Sequence, residues 1–148
     1  PAKFEYFKEP QKTADSYTEE GWATVGDVGY LDEDGFLYLT DRKHYMIITG
    51  GVNVYPQEVE DLLVVHEHVA DAAVFGIPDP EFGEAVHAVV QPMTGVEPDE
   101  ALEQALLDYL RDRLSHIKVP RRIDFDAALP RHDNGKLYKR RLVERYQT

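Results

Sequence analysis

The chain has 148 residues, 16 of them basic and 28 acidic, with a formal net charge of −12, 43% apolar content and no cysteine. This composition suffices for one compact core, excludes disulfides and thiolate metal sites, and argues against non-specific nucleic-acid binding, which relies on dense cationic contacts to phosphate. No apolar run approaches the roughly 20 residues of a membrane span. The opening Pro1-Ala2-Lys3-Phe4-Glu5 carries neither an apolar h-region nor a small-residue cleavage site, so a cytoplasmic location is expected. With no initiating methionine, an upstream segment is expected too. Charge is unevenly spread: residues 1–110 hold 5 basic and 23 acidic side chains, and residues 111–148 hold 11 and 5. The basic tail reads as a solvated face or as a site for a small polyanion such as a nucleotide.

Residues 1–20 are polar, with scattered aromatics and no clear period. Alternation over Thr24–Leu31 and Phe36–Leu39 predicts a hairpin closed at Asp34-Gly35, where glycine supplies a positive φ. Four polar residues, Asp41 to His44, then interrupt the pattern. A second hairpin is predicted from Tyr45–Thr49 through Gly50-Gly51 to Val52–Val54. Pro56 suits the first turn of a helix in which Val59, Leu62 and Leu63 recur at helical spacing. Ala72–Ile77 and Glu84–Gln91 are short β-like runs on either side of the turn-rich Pro78–Gly83. Pro98 opens the longest predicted helix, with Leu102, Leu106, Tyr109, Leu110 and Leu114 on one face. A strand near Ile123–Phe125, a tight turn at Asn134-Gly135 and a basic helix over Leu137–Tyr146 complete the chain. The order β-β-α-β-β-α-β-α after residue 44 predicts an α+β fold, helices packed on a small sheet, preceded by a β-hairpin segment.

Several chemistries have no signature here. There is no GxxxxGK[ST] phosphate loop, GxGxxG turn, GxSxG elbow, or kinase HRD or DFG set. His66-Glu67-His68 lacks further ligands at zinc-site spacing, and its two histidines are expected to diverge at a helix end, so no metal is assigned. No carboxylate pair can be placed as a glycosidase dyad.

Three stretches stand out. Asp27 lies between Gly26 and Gly29 at a strand; it reads first as a turn residue and second as an acceptor for ribose hydroxyls. Asp41 through Glu60 joins a polar break, an apolar strand, a glycine pair and a helix start, and glycines permit close backbone approach to a narrow ligand. Leu129-Pro130-Arg131-His132-Asp133-Asn134-Gly135-Lys136 displays a lysine after a tight turn. Most such lysines only solvate, but an ammonium so placed can neutralise charge developing on a phosphoryl or carboxylate oxygen.

Together and in order, these stretches resemble the acyl-adenylate-forming superfamily, which includes acyl-CoA synthetases, peptide-synthetase adenylation domains and luciferases. The matching residues are Glu5–Ala14, Gly21-Trp22 with Gly26-Asp27, Asp41-Arg42-Lys43 with Ile47–Glu60, Phe75–Asp79 with Phe82-Gly83-Glu84, and Leu129-Pro130 with Gly135-Lys136. The resemblance implies a two-step reaction. A carboxylate attacks ATP to give an acyl-AMP and pyrophosphate; the C-terminal domain then rotates and a thiol, usually of coenzyme A, displaces AMP.

Carried onto matching positions, Asp27 and Arg42 would bind the ribose region of the nucleotide, and Lys136 would be the catalytic residue of adenylation. His44 would be the hinge. Thr49, Gly50 and Gly51 would line the pantetheine tunnel, and Phe82, Ile117 and Lys118 would meet the nucleotide end of coenzyme A. ATP with the Mg2+ it carries, coenzyme A and a small-molecule carboxylic acid are the implied ligands, and no protein-held metal is implied. Residues 1–43 would be the trailing edge of the family's larger N-terminal domain and residues 44–148 its mobile lid, the fragment being inactive without the missing domain. Two positions depart from the pattern: Val25 stands where many members carry threonine, and His44 where an aspartate or lysine is usual. A peptide-synthetase adenylation domain and a non-catalytic α+β binding module are the alternatives; Gly50–Pro56 fits the CoA-ligase branch better than the first.

Overall fold

A computed structural model describes residues 4–146, the side chains of Thr40, Arg42 and His44 excepted. The chain divides into two compact units, one up to His44 and one from Tyr45 onward. In the first, α1 (Pro10–Asp15) precedes an antiparallel pair, β1 (Asp27–Leu31) and β2 (Leu37–Arg42). The six residues of α1 bury no side chain, so this helix leaves no apolar period in the sequence. The β1–β2 turn is closed by Gly35 N–H on Asp32 O at 3.0 Å, with Gly35 at φ +84°. β2 runs on through the polar Asp41 and Arg42, which pair with Val28 and Asp27. A ribbon that buries little needs no apolar alternation to keep its ladder, so the polar residues do not break it.

The second unit contains β3 (Ile47–Thr49), β4 (Val52–Val54), α2 (Pro56–Val64), β5 (Val69–Asp79), β6 (Gly83–Pro92), α3 (Glu100–Arg111), β7 (Arg122–Phe125) and α4 (Lys139–Tyr146). Short 3-10 turns lie at Lys43–Tyr45 and His116–Lys118. This is the predicted α+β order. The sheet runs β4-β3-β6-β5, with β7 parallel to β6. β5 and β6 extend beyond their apolar runs, pairing from Val69↔Pro92 to Asp79↔Gly83. Pro78 is tolerated inside β5 because β5 is the sheet's edge, where a missing N–H interrupts no ladder on the outer side. α3 begins at Glu100 rather than at Pro98: the Asp99 carboxylate accepts the Leu102 N–H at 2.8 Å and caps it.

Ala72 and Val74 of β5, with Val86, Ala88 and Val90 of β6, face one layer; Ala73, Phe75 and Val89 face the other. A sheet apolar on both faces needs cover on both. Val59 and Leu63 of α2 and Leu102, Leu106 and Leu110 of α3 supply the first cover. Leu129, Leu137 and the Leu142, Val143 and Tyr146 of α4 supply the second. Each fully buried leucine contributes about 1.5–3 kcal/mol, so the terminal segment is held by the sheet and not only by its own short helix.

His87 points into the second layer. It is 3% exposed, with its ring centroid 5.5 Å from Phe75 and 4.6 Å from Tyr146. Its Nε2 stands 3.3 Å from Asp124 Oδ2, within ion-pair range but outside hydrogen-bond geometry. Burial pushes the imidazole below its ordinary pKa, with Asp124 pulling partly back and Arg122 adding to the depression. The unfolded chain therefore takes up a proton near pH 6.5 that folded His87 resists. Stability is expected to be full above that pH and to fall as pH drops from 7 towards 5, with half-buried His66 shifted in the same direction. In thermal unfolding across that range, His87→Phe should flatten much of the acid limb.

Candidate functional site

Lys136 sits on a hairpin whose base belongs to the second layer. Leu129 is buried there and Leu137 packs against it. Between them, Arg131 bridges Leu137, the His132 N–H meets Lys136 O at 2.9 Å, and the Gly135 N–H meets His132 O at 2.8 Å. Only Gly135 of the Asn134-Gly135 pair takes positive φ, +81°; the turn has the same form as that at Asp32–Gly35. The His132 and Tyr138 rings stack across the hairpin at 4.1 Å, and Arg131 forms an ion pair with Asp71 of β5. The loop is thus tied at its base and exposed at its tip. Among the described residues, no carboxylate engages the Lys136 ammonium, whereas Lys118 and Lys139 are each paired with a glutamate.

Thr49, Phe82 and Ile117 line one cleft of about 390 Å³, together with Arg111, His116 and Arg121. Gly50 does not line it but lies beside the Phe82 that does. A Cβ on Gly50 would stand 3.0 Å from Phe82 Cδ1, and the Gly50 N–H donates to Phe82 O at 2.9 Å. Gly50 and Gly51 both take positive φ, +55° and +79°, the signature of a tight two-residue hairpin turn. Gly51 has open space around its α-carbon. Lys118 is directed to Glu58, reaching both carboxylate oxygens at 2.8 and 2.7 Å, and does not line the cleft.

The basic residues that do line it, Arg111, His116 and Arg121, stand out in the sequence only as part of the basic tail. Arg121 stacks over the Phe82 ring at 4.7 Å and pairs with Asp79 at 2.6 Å. The Asp79 carboxylate also accepts the Phe82 and Glu81 N–H groups, at 2.8 and 3.0 Å. The Phe82 N–H first, then the Glu81 N–H and Arg121, hold this carboxyl below the usual aspartate range.

In the first unit, Asp27 and Arg42 are register partners at the end of the β1–β2 ladder. Asp27 is exposed; the side chains of Arg42 and His44 lie outside the described residues. The His66 and His68 rings approach to 5.4 Å edge-to-face, against the expectation that they diverge, and His66 also meets the Tyr109 ring at 4.9 Å. Among the described residues, no group of three metal-ligating side chains is assembled, and no helix is long and apolar enough to cross a membrane.

The family model described as AMP-binding enzyme C-terminal domain matches residues 58–136, more than half of the chain. The chain belongs to this family. It is 46% identical over 137 residues, 93% of its length, to a 2-succinylbenzoate–CoA ligase of Geobacillus kaustophilus (strain HTA426). Over 142 residues, 96% of its length, it is 39% identical to a long-chain-fatty-acid–CoA ligase of Mycobacterium tuberculosis. ATP-bound MatB from Rhodopseudomonas palustris matches with a TM-score of 0.85 at 36% identity, across 96% of this chain and 28% of that one. The chain spans about a quarter of the length of these ligases, 27% of each of the first two.

Within this AMP-binding enzyme C-terminal domain, Asp79 joins the turn of the β5–β6 hairpin to the cleft. Asp79→Ala is expected to release Phe82 and Arg121 together. Amide exchange at Glu81 and Phe82 should accelerate by about tenfold or more, the scale of losing charge-assisted hydrogen bonds. Unchanged protection at both amides would show that the turn is held by other means.

Proposed function

We propose that this chain is the C-terminal catalytic part of an AMP-forming acid–thiol ligase, in which Lys136 serves the adenylation step and the Thr49–Phe82–Ile117 cleft serves coenzyme A. The observation that carries the reading is the Lys136 ammonium, engaged by no carboxylate among the described residues, at the tip of a hairpin tied down at its base. In the first step a carboxylate oxygen attacks the α-phosphorus of ATP, which enters with the Mg2+ it carries, and pyrophosphate leaves. Two anions approach one another, so a preorganised cation lowers the barrier, and a lysine already committed to a glutamate would serve poorly. In the second step the thiol sulfur attacks the acyl carbon and AMP leaves. The cleft supports this step through a lining of Arg111, His116 and Arg121 suited to phosphate, beside a Gly50 whose missing side chain leaves the Phe82 ring uncrowded.

The cross-strand Asp27–Arg42 pair supports a ribose site: a carboxylate accepts two hydroxyls while a guanidinium balances its charge. His44 is the pivot in this reading, at the junction of the two compact units and inside a 3-10 turn. A pivot needs a few residues able to absorb a large φ/ψ change. The first unit supports a fragment. Leu31, Phe36, Leu37 and Leu39 of its hairpin, and Trp22 before it, are all more than 60% exposed. Large apolar side chains left in water in this number fit an interface buried in the whole protein, and the fragment alone should be inactive.

Lys136→Ala in the full-length protein is expected to lower acyl-AMP formation by about 10²–10³ while sparing transfer from supplied acyl-AMP. Equal loss in both half-reactions would contradict an assignment to adenylation alone. Asp27→Ala should raise the apparent KM for ATP by about tenfold, since two ribose hydroxyls lose an ionic acceptor. An unchanged KM would return Asp27 to a turn residue.

A further inference from the structure

Three residues beyond Lys136, the first residue of α4 turns inward. Lys139 Nζ lies 2.7 Å from Glu60 Oε1 of α2, with both side chains less than a tenth exposed. The same Glu60 oxygen accepts the Val74 N–H at 2.6 Å. β5 is the edge strand of the sheet, so this bond occupies a donor on the open side of the ladder. The Lys139 ammonium also stands over the Tyr45 ring, 5.1 Å from its centroid. One buried ion pair therefore joins both helical layers around the sheet edge, together with the residue that follows the pivot.

As a source of stability, a buried ion pair is a weak choice, because desolvating both charges offsets most of their attraction and apolar side chains of similar volume would hold the layers as well. Direction is what apolar packing does not supply. The Lys136 hairpin is held at its start by Leu129 and by the Arg131–Asp71 pair, and at its end by Leu137 and Lys139. Among the described residues, the tip between is held by contacts within the hairpin: its turn bonds, Arg131 on Gly135 O, and the stacked His132 and Tyr138 rings. Where the Lys136 ammonium stands relative to Tyr45 thus depends on where α4 begins, and Lys139 defines that point.

We propose that Lys139 and Glu60 are positioning residues for adenylation, fixing the end of the hairpin so that Lys136 meets the reacting oxygens. This rests on the assignment of Lys136 to that step. Displacing a reacting group by roughly 1 Å costs about a hundredfold in rate, whereas a pair that only held the fold would affect both half-reactions alike.

The test uses the full-length enzyme and four variants: Lys139→Met, Lys139→Arg, Glu60→Gln and, as control, Lys136→Ala. Acyl-AMP formation and acyl transfer from supplied acyl-AMP are each measured in single turnover, beside the KM for ATP and the thermal midpoint. Lys139→Met should lose about tenfold to a hundredfold in the rate of acyl-AMP formation. The KM for ATP and the transfer rate should stay within about twofold of wild type, the pattern of an interaction felt only in the transition state. Lys139→Arg, which keeps the charge, should recover most of the loss. Glu60→Gln keeps an acceptor for the Val74 N–H while weakening the pair; it should show the same selective loss, and it decides the matter if Lys139→Met does not fold. Parallel loss of both half-reactions, or loss of neither in a folded variant, would overturn the proposal. If Lys136→Ala leaves acyl-AMP formation intact, the assignment of Lys136 fails, and that control tells this failure apart from a failure of the positioning pair.

Discussion

The β5–β6 hairpin is apolar on both faces, and most of the second unit follows from covering it. One face takes α2 and α3; the other takes the chain after β7. Because that terminal segment is needed as cover, the hairpin carrying Lys136 cannot behave as a loose tail. Its two ends are sealed in the second core by Leu129 and Leu137 while its tip remains in water. An exposed cation on a fixed base is the outcome of burying the residues on either side of it.

The same strands organise the cleft. β6 begins at Gly83, directly after the turn that presents Phe82, and the β3–β6 pairing Thr49↔Gly83 brings the glycine turn at Gly50 beside that ring. The parallel alignment of β7 with β6 directs the preceding Arg121 back to the same end, where Asp79 holds it. Acidic residues dominate the composition, yet near these sites many of them are committed to position: Asp79 to a turn and an arginine, Asp71 to the base of the Lys136 hairpin, and Glu60 to a buried lysine. The charge excess is partly a set of fixed partners for the basic C-terminal segment.

Local signals in the sequence were read where the physics is local. Glycine pairs marked turns because positive φ is a single-residue property, and apolar spacing marked α2, α3 and both long strands because burial there follows the element's own period. α1 leaves no signal because it buries nothing, and the sequence does not mark the full lengths of β5 and β6 because strand pairing carries them beyond their apolar runs. The cross-strand pair at the end of the β1–β2 ladder was half legible. Asp27 and Arg42 each stood in a motif, but their direct opposition depends on the bulged register of the β1–β2 ladder.

The sequence by itself determined the order of elements, the α+β class, the family resemblance and the lysine after a tight turn, since each rests on residues close together in the chain. Tertiary structure alone decided which basic residues are free and which are bound. Lys118, Lys136 and Lys139 look alike in the sequence, yet two reach glutamates roughly 60 to 80 positions away and the third reaches none among the described residues. It also decided that Arg111, His116 and Arg121 share one cleft with Thr49 and Phe82. Ion pairing and cavity lining depend on distances through space, and those are set only when a two-faced sheet has drawn distant segments over both of its sides.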